Sequence, residues 1–199
     1  MSFDLNITTH VPNNTKNVII TQIMKRLVLL LCAIISLSAN AQTDFKVVDN
    51  KLIWQKVYTS AMTYTDIVNS LQNSGLVTDI NFADDVITCK IPETPIDYKN
   101  AGYSRGVTPG YIILNDLTAF ATIQIKEGRY RVTVENFMLI SNMDTALGKA
   151  GEKTDIEFYA VKNGELSRQV AKTIGPIIGR QLDMLFSLKE KEVLSDDNW

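Results

Sequence analysis

TAFATIQIKEGRYRVTVENFMLI, residues 118–140, contains two apolar alternations separated by a glycine. Ala119, Ala121, Ile123 and Ile125 alternate with Phe120, Thr122, Gln124 and Lys126; past Glu127-Gly128 the alternation resumes with Tyr130, Val132 and Val134 against Arg131, Thr133 and Glu135. A period of two is the pattern of a β-strand with one face buried. With Glu127-Gly128 as a two-residue turn and Gly128 supplying a positive φ, Ile125 faces Tyr130, Ile123 faces Val132 and Ala121 faces Val134. A one-residue slip would move the whole apolar set to the opposite face, so pattern and turn specify the same register. The apolar face of this hairpin is a floor for packing. The other face carries Gln124, Arg131, Thr133 and Glu135, with Phe120 and Phe137 as aromatic neighbours.

Upstream, LIWQKVY (52–58) predicts a strand starting near Lys51 with apolar groups on both faces, the pattern of a strand that is interior or covered twice. Residues 63–74 predict a short amphipathic helix: Tyr64, Ile67, Val68 and Leu71 share a stripe, Thr63 with Asp66 forms a capping pair, and Gly75 stops it. A second hairpin is expected over 76–82 and 85–91, with a turn at Ala83-Asp84 that sets Ile80 opposite Ile87, Thr78 opposite Cys89 and Leu76 opposite Ile91. Cys89 then lies on the apolar face as a small buried hydrophobe. Residues 92–110, with three prolines and three glycines, read as a long loop in which Tyr98, Tyr103 and Arg105 are candidate ligand-lining residues beside the simpler reading of a solvated connector. Downstream, 155–161 predicts a short edge strand before an Asn163-Gly164 turn. Residues 165–191 predict a long helix on the stripe Leu166, Val170, Ile174, Ile177, Gln181 and Leu185, kinked at Gly175-Pro176.

MKRLVLLLCAIISLSANAQ (24–42) has the three parts of an export signal: Lys25 and Arg26, an apolar run, and Ala39 and Ala41 at an A-x-A cleavage site. The run is shorter than the ~18–20 residues a bilayer span needs, so no transmembrane segment is expected after cleavage. The expected organisation is an untranslated or non-native extension over 1–23 with initiation at Met24, a signal peptide over 24–41, a polar entry segment over 42–50, one α+β domain over 51–190 and an acidic tail over 191–199. Of 20 basic and 22 acidic residues, Lys16, Lys25, Arg26 and Asp4 precede the cleavage site, leaving 17 and 21 and a net charge of −4. That balance argues against nucleic acid as a partner.

The sole histidine, His10, falls in the segment removed, which leaves a serine or cysteine nucleophile without its usual base and excludes histidine metal ligands. GKAGEKT (148–154) fails as a phosphate loop because Glu152 separates Gly151 from Lys153. Asp79, Asp84 and Asp85 cluster in sequence around the second hairpin and would suit a weak calcium site or carboxylate chemistry; a turn-forming, solvated acidic set is the simpler reading. No catalytic residue and no cofactor is assigned.

The Trp-x-Lys-Val-Tyr strand at 54–58, the helix TYTDIVNSLQ and the Lys-x-Gly-Arg-Tyr-Arg turn at 126–131 together resemble an exported Bacteroidetes family of unknown function with a TBP-like fold, over roughly 52–188. The resemblance implies a curved antiparallel sheet with helices on one side, and no activity. The residues themselves order as β-α-β-β-β-β-α, an α+β fold of about five strands with two helices on one face. The functional expectation is an exported, periplasmic or envelope-associated, non-catalytic binding or structural module whose partner is an envelope protein or glycan. The alternative is a carboxylate-based hydrolase or calcium-binding protein around Asp79, Asp84 and Asp85.

Overall fold

In the computed structural model, residues 44–144 and 149–188 are described. The extension, the export signal and the acidic tail expected from the sequence lie outside them. The central hairpin is formed by β5 (Asn115–Lys126) and β6 (Arg129–Ser141), joined at Glu127-Gly128 with Gly128 at φ 71°. Its register is the expected one: Ile125 faces Tyr130, Ile123 faces Val132 and Ala121 faces Val134.

Seven strands make the main antiparallel sheet, not about five. β1 (Phe45–Val48) and β2 (Lys51–Thr59) form an edge hairpin; β3 (Thr78–Ala83) and β4 (Val86–Pro95) form another; the order is β1-β2-β6-β5-β4-β3. β7 (Lys153–Asp155) pairs with β6 at Met138, Leu139 and Ile140, beyond the point where β2 ends. β1 lies inside the segment expected to be a polar entry. Its tight turn is Asp49-Asn50, both residues at positive φ, which matches the twist of the strands it joins. Since β1 flanks it, β2 is interior to the sheet, but it is covered on one face only: Leu52 and Trp54 are buried while Val57 is 55% exposed.

A register break between Thr118 and Phe120 places Asn136 and Phe137 of β6 opposite the single residue Ala119. Asn136 sits at φ 54° and takes up the extra residue as a bulge. The bulge reverses the side-chain alternation, so inward positions run Tyr130, Val132, Val134, then Phe137 and Leu139, all fully buried. Phe137 therefore belongs to the core and not to the outer face. The β3–β4 turn also differs: it is Asp84-Asp85, with Asp84 at φ 49°, so Phe82 faces Ile87 and Thr78 faces Lys90 across a second bulge. Cys89 is buried against the sheet core as expected, its partner on β5 being Ala121. A third register break between Ile91 and Thr94 carries β4 through Pro92 to Pro95, shortening the expected loop.

Two helices cover one sheet face. α1 (Tyr64–Ser74) has Thr63 as N-cap in a full capping box with Asp66, ends at Gly75 with φ 63°, and buries Ile67 and Leu71. α2 (Gly110–Ile113) and α3 (Glu157–Ala160) are single turns, and β8 (Val161–Lys162) and β9 (Glu165–Leu166) form a separate ribbon around Asn163-Gly164. The final helix starts at Arg168 because Glu165 and Leu166 are taken by β9. It passes through a π-turn (Val170–Ile174) into α4 (Gly175–Phe186). The wider turn precedes Pro176, which has no N–H to give an α-helical ladder, and the helix runs through Gly175-Pro176 without splitting. Ile174, Ile177, Ile178, Leu182 and Phe186 join Trp54, Tyr130, Val132 and Phe137 in the core. Each such side chain contributes on the order of 1.5–3 kcal/mol by leaving water. At Gly179, α4 lies against β1 and β2: a Cβ there would make ordinary contact with Phe45 at 3.5 Å and with the Trp54 indole nitrogen at 3.6 Å.

Candidate functional site

No described segment covers the sheet face opposite the helices. Cross-strand pairing sets Val57 beside Arg131, Arg131 beside Gln124, and Lys126 beside Arg129 at the hairpin tip. These five side chains line a shallow depression of about 210 Å³. Gln124, Lys126 and Arg131 were expected on this face, Gln124 and Arg131 as candidate ligand contacts; Val57 and Arg129 were not singled out. The pairing that joins β2 to β6 brings Val57 in from 74 residues away in sequence. The alternation itself put Lys126 outward, and Arg129 shares the parity of Arg131, so those two were detectable from the same pattern.

Arg131 is held across the strands: its Nε donates to Gln124 Oε1 at 3.0 Å, and Nη2 donates to the same oxygen. A guanidinium has five N–H donors, and two are used here. The free edge, both Nη1 protons and the second Nη2 proton, has no partner among the described residues. Ion pairs among those residues join Lys51 to Glu157 and Lys56 to Asp44 and Asp183. None involves Lys126, Arg129 or Arg131. Three cations line one depression, and a bound anion would neutralise part of that charge.

One row further in, Gln55 Nε2 donates to Thr133 Oγ1 at 3.0 Å and Lys46 Nζ donates to Gln55 Oε1 at 2.9 Å. Thr122 faces Thr133 on one side and Thr88 on the other. A further row in, Glu135 faces Phe120, which is 52% exposed. Thr133 thus borders the depression, and Glu135 stands away from it.

Tyr98, Tyr103 and Arg105 do not join this face. Their loop is strapped to α4 on the helix side: Gln181 accepts from the Asp97 N–H at 3.2 Å and donates to the Pro95 carbonyl at 3.1 Å, and Tyr103 Oη donates to the Lys172 carbonyl at 3.4 Å. Tyr98 and Tyr103 pack their rings against the core, and Arg105 is exposed. Asp79, Asp84 and Asp85 are exposed around β3. Asp79 occupies a register break at φ 50° and Asp84 the turn, both conformations that short acidic side chains tolerate. Among the described residues no three acidic, histidine or cysteine side chains are placed to share a metal ion. In the stretch compared with a phosphate loop, Lys153 and Thr154 belong to β7, and the Lys149 amide donates to Glu152, so the described residues 149–154 do not form a phosphate cradle.

A second polar cluster, on the helix side, was invisible in sequence because its members lie 127 residues apart. Lys56 Nζ donates to Asp183 Oδ1 at 2.6 Å and Tyr58 Oη to the same oxygen at 2.8 Å. Burial works to raise the Asp183 carboxyl, but Lys56 and the Tyr58 hydroxyl outweigh it and hold the group below its ordinary range. Burial first, and then Asp183, push the Tyr58 hydroxyl well up. This cluster pins the C-terminal end of α4 to β2. Burial also raises the Cys89 thiol to about 12.

No family model matches the chain, and no curated protein matches it. Among solved structures it is similar to a TBP-like protein from Parabacteroides distasonis, with 10% identity, a TM-score of 0.46, and coverage of 70% of this chain and 90% of that one. It is also similar to a DUF4468 family protein from Bacteroides ovatus, with 16% identity, a TM-score of 0.43, and coverage of 73% and 91%. The fold assignment rests on this chain's own strand order and register.

Proposed function

We propose that this chain is an exported, non-catalytic binding module of the cell envelope that takes its ligand on the open sheet face at the β5–β6 tip. The observation that carries the reading is the depression among Val57, Gln124, Lys126, Arg129 and Arg131, where three cations with no ion-pair partner among the described residues stand on a chain that is acidic overall. An anionic group entering there neutralises crowded positive charge and meets a guanidinium already oriented by Gln124. The export signal at 24–41 supports the envelope as its place of work. The non-catalytic part is supported at Cys89, the free cysteine among the described residues, whose burial raises the thiol to about 12, so it offers no thiolate at neutral pH. No described helix is long and apolar enough to cross a membrane.

The test is retention of a solubilised envelope fraction on the immobilised chain. Arg131→Glu abolishes specific retention, and Arg105→Glu, on the helix side, leaves it unchanged. Retention indifferent to Arg131→Glu, or equally lost with Arg105→Glu, defeats the reading.

A further inference from the structure

Resting on that reading, we infer that the ligand is a carboxylate-bearing polysaccharide, its acid group held end-on by Arg131 and its sugar rings laid along the row of threonines toward Phe120. Three features of the face point to it. First, Gln124 occupies the Nε side of the Arg131 guanidinium, so the edge that remains is the Nη1–Nη2 end. Two parallel N–H groups on that edge match the two oxygens of a planar carboxylate, and Lys126 and Arg129 add positive charge beside it.

Second, the face inward of the depression is made of hydroxyls. Thr122 and Thr88 lie side by side and donate to no other described residue, and the hydroxyl of Thr133 is fixed by Gln55. Such a surface offers hydrogen bonds to a ligand rich in hydroxyls. Third, the exposed apolar groups are separated. Val57 and Phe120 stand at opposite ends, Phe120 being four residues along β5 from Gln124, a distance of roughly 13 Å at strand rise. A protein partner is normally anchored by a contiguous cluster of apolar and aromatic side chains, which this face lacks. A flat, hydroxylated strip with three cations at one end and, at the other, a single aromatic ring flanked by Lys90 and Glu135 suits an extended acidic glycan.

The experiment is calorimetric titration of the full chain with an oligogalacturonate, with a neutral malto-oligosaccharide of the same length, with polyglutamate and with polyphosphate. Oligogalacturonate binds, the neutral sugar does not, and the two non-carbohydrate polyanions bind at least about tenfold more weakly. Arg131→Lys keeps the charge and removes the fork, so affinity for oligogalacturonate falls by about tenfold or more. Affinity also falls roughly 20- to 40-fold as salt rises from about 50 to about 200 mM, the dependence expected when about three cations are neutralised. Phe120→Ala weakens binding several-fold. Equal binding of polyglutamate or polyphosphate, binding of the neutral sugar, or an Arg131→Lys variant that binds like wild type overturns the inference. So does failure of oligogalacturonate to bind. If that failure occurs while envelope retention stays sensitive to Arg131→Glu, only the ligand class falls; if retention is also insensitive, the docking face falls with it.

Discussion

Replacing Tyr130 by phenylalanine keeps a buried ring in place and removes one oxygen atom. That oxygen has two partners. Its hydroxyl donates to the Phe186 carbonyl at 2.7 Å, and it accepts from the Leu188 N–H at 3.1 Å. It therefore closes the end of α4, where helix carbonyls have no partner within the helix. The ring itself stays stacked on Tyr58, with centroids 5.0 Å apart, so the apolar contribution survives the substitution. The Phe186 carbonyl still accepts from the Leu188 N–H at 2.9 Å, so the substitution removes the tyrosine's two hydrogen bonds without leaving either backbone group unpaired, a loss of about 0.5–1.5 kcal/mol. The expected destabilisation is about 1 kcal/mol. For a domain of this size, that lowers Tm by about 2–4 °C. Thermal melts followed by circular dichroism, together with urea titrations in which the midpoint moves while the slope does not, measure it. A Tyr130→Phe chain melting within about 1 °C of wild type would refute the claim that this hydroxyl ties the helix to the sheet.

Asn136 holds the bulge at φ 54°, so Asn136→Val destabilises by about 1–2 kcal/mol in urea titrations while Asn136→Gly stays within a few tenths; equal effects would contradict the bulge. Cys89 is buried and its thiol stays protonated, so alkylation at neutral pH follows the unfolding equilibrium, and prompt labelling of the folded chain would contradict its placement. Asp183 is held below its unfolded value, so its contribution is complete above the ordinary carboxylate range and is lost as pH falls through the folded value. The stability gap between wild type and Asp183→Asn therefore shrinks on acidification. With the Asp183 side chain 41% exposed, that gap is no more than about 1 kcal/mol at neutral pH. A gap independent of pH would contradict the assignment.

The parts of the fold legible in the sequence are those in which a local rule and a long-range demand coincide. The β5–β6 register is specified both by alternation and by Gly128, and α1 both by its stripe and by its two ends. Where a single extra residue changes the phase, alternation misleads. Glu135 and Asn136 are two consecutive polar residues between Val134 and Phe137, and that doublet is the mark of the bulge that takes Phe137 inside. β1 escaped notice because four residues with one buried aromatic, Phe45, make a weak pattern, although Asp49-Asn50 is a sound hairpin turn. At the second hairpin Ala83-Asp84 and Asp84-Asp85 are both acceptable turns by composition; the choice falls to Asp84, which adopts positive φ more readily than Ala83.

The candidate site was half legible for the same reason. Alternation points Gln124, Lys126 and Arg131 outward, but only the strand order brings Val57 alongside them. Tyr98 and Tyr103 looked available because they sit among prolines and glycines, and their rings are instead used to seat the loop against the core.

Amide chemical-shift changes on titrating the chain with oligogalacturonate test the central claim most directly. The account predicts that they concentrate at Val57, Gln124, Lys126, Arg129 and Arg131, decay along β5 toward Phe120, and leave α4 and its strapped loop unmoved. Changes centred on Tyr98, Tyr103 and Arg105, or on Lys56 and Asp183, would place the ligand on the helix side and contradict it.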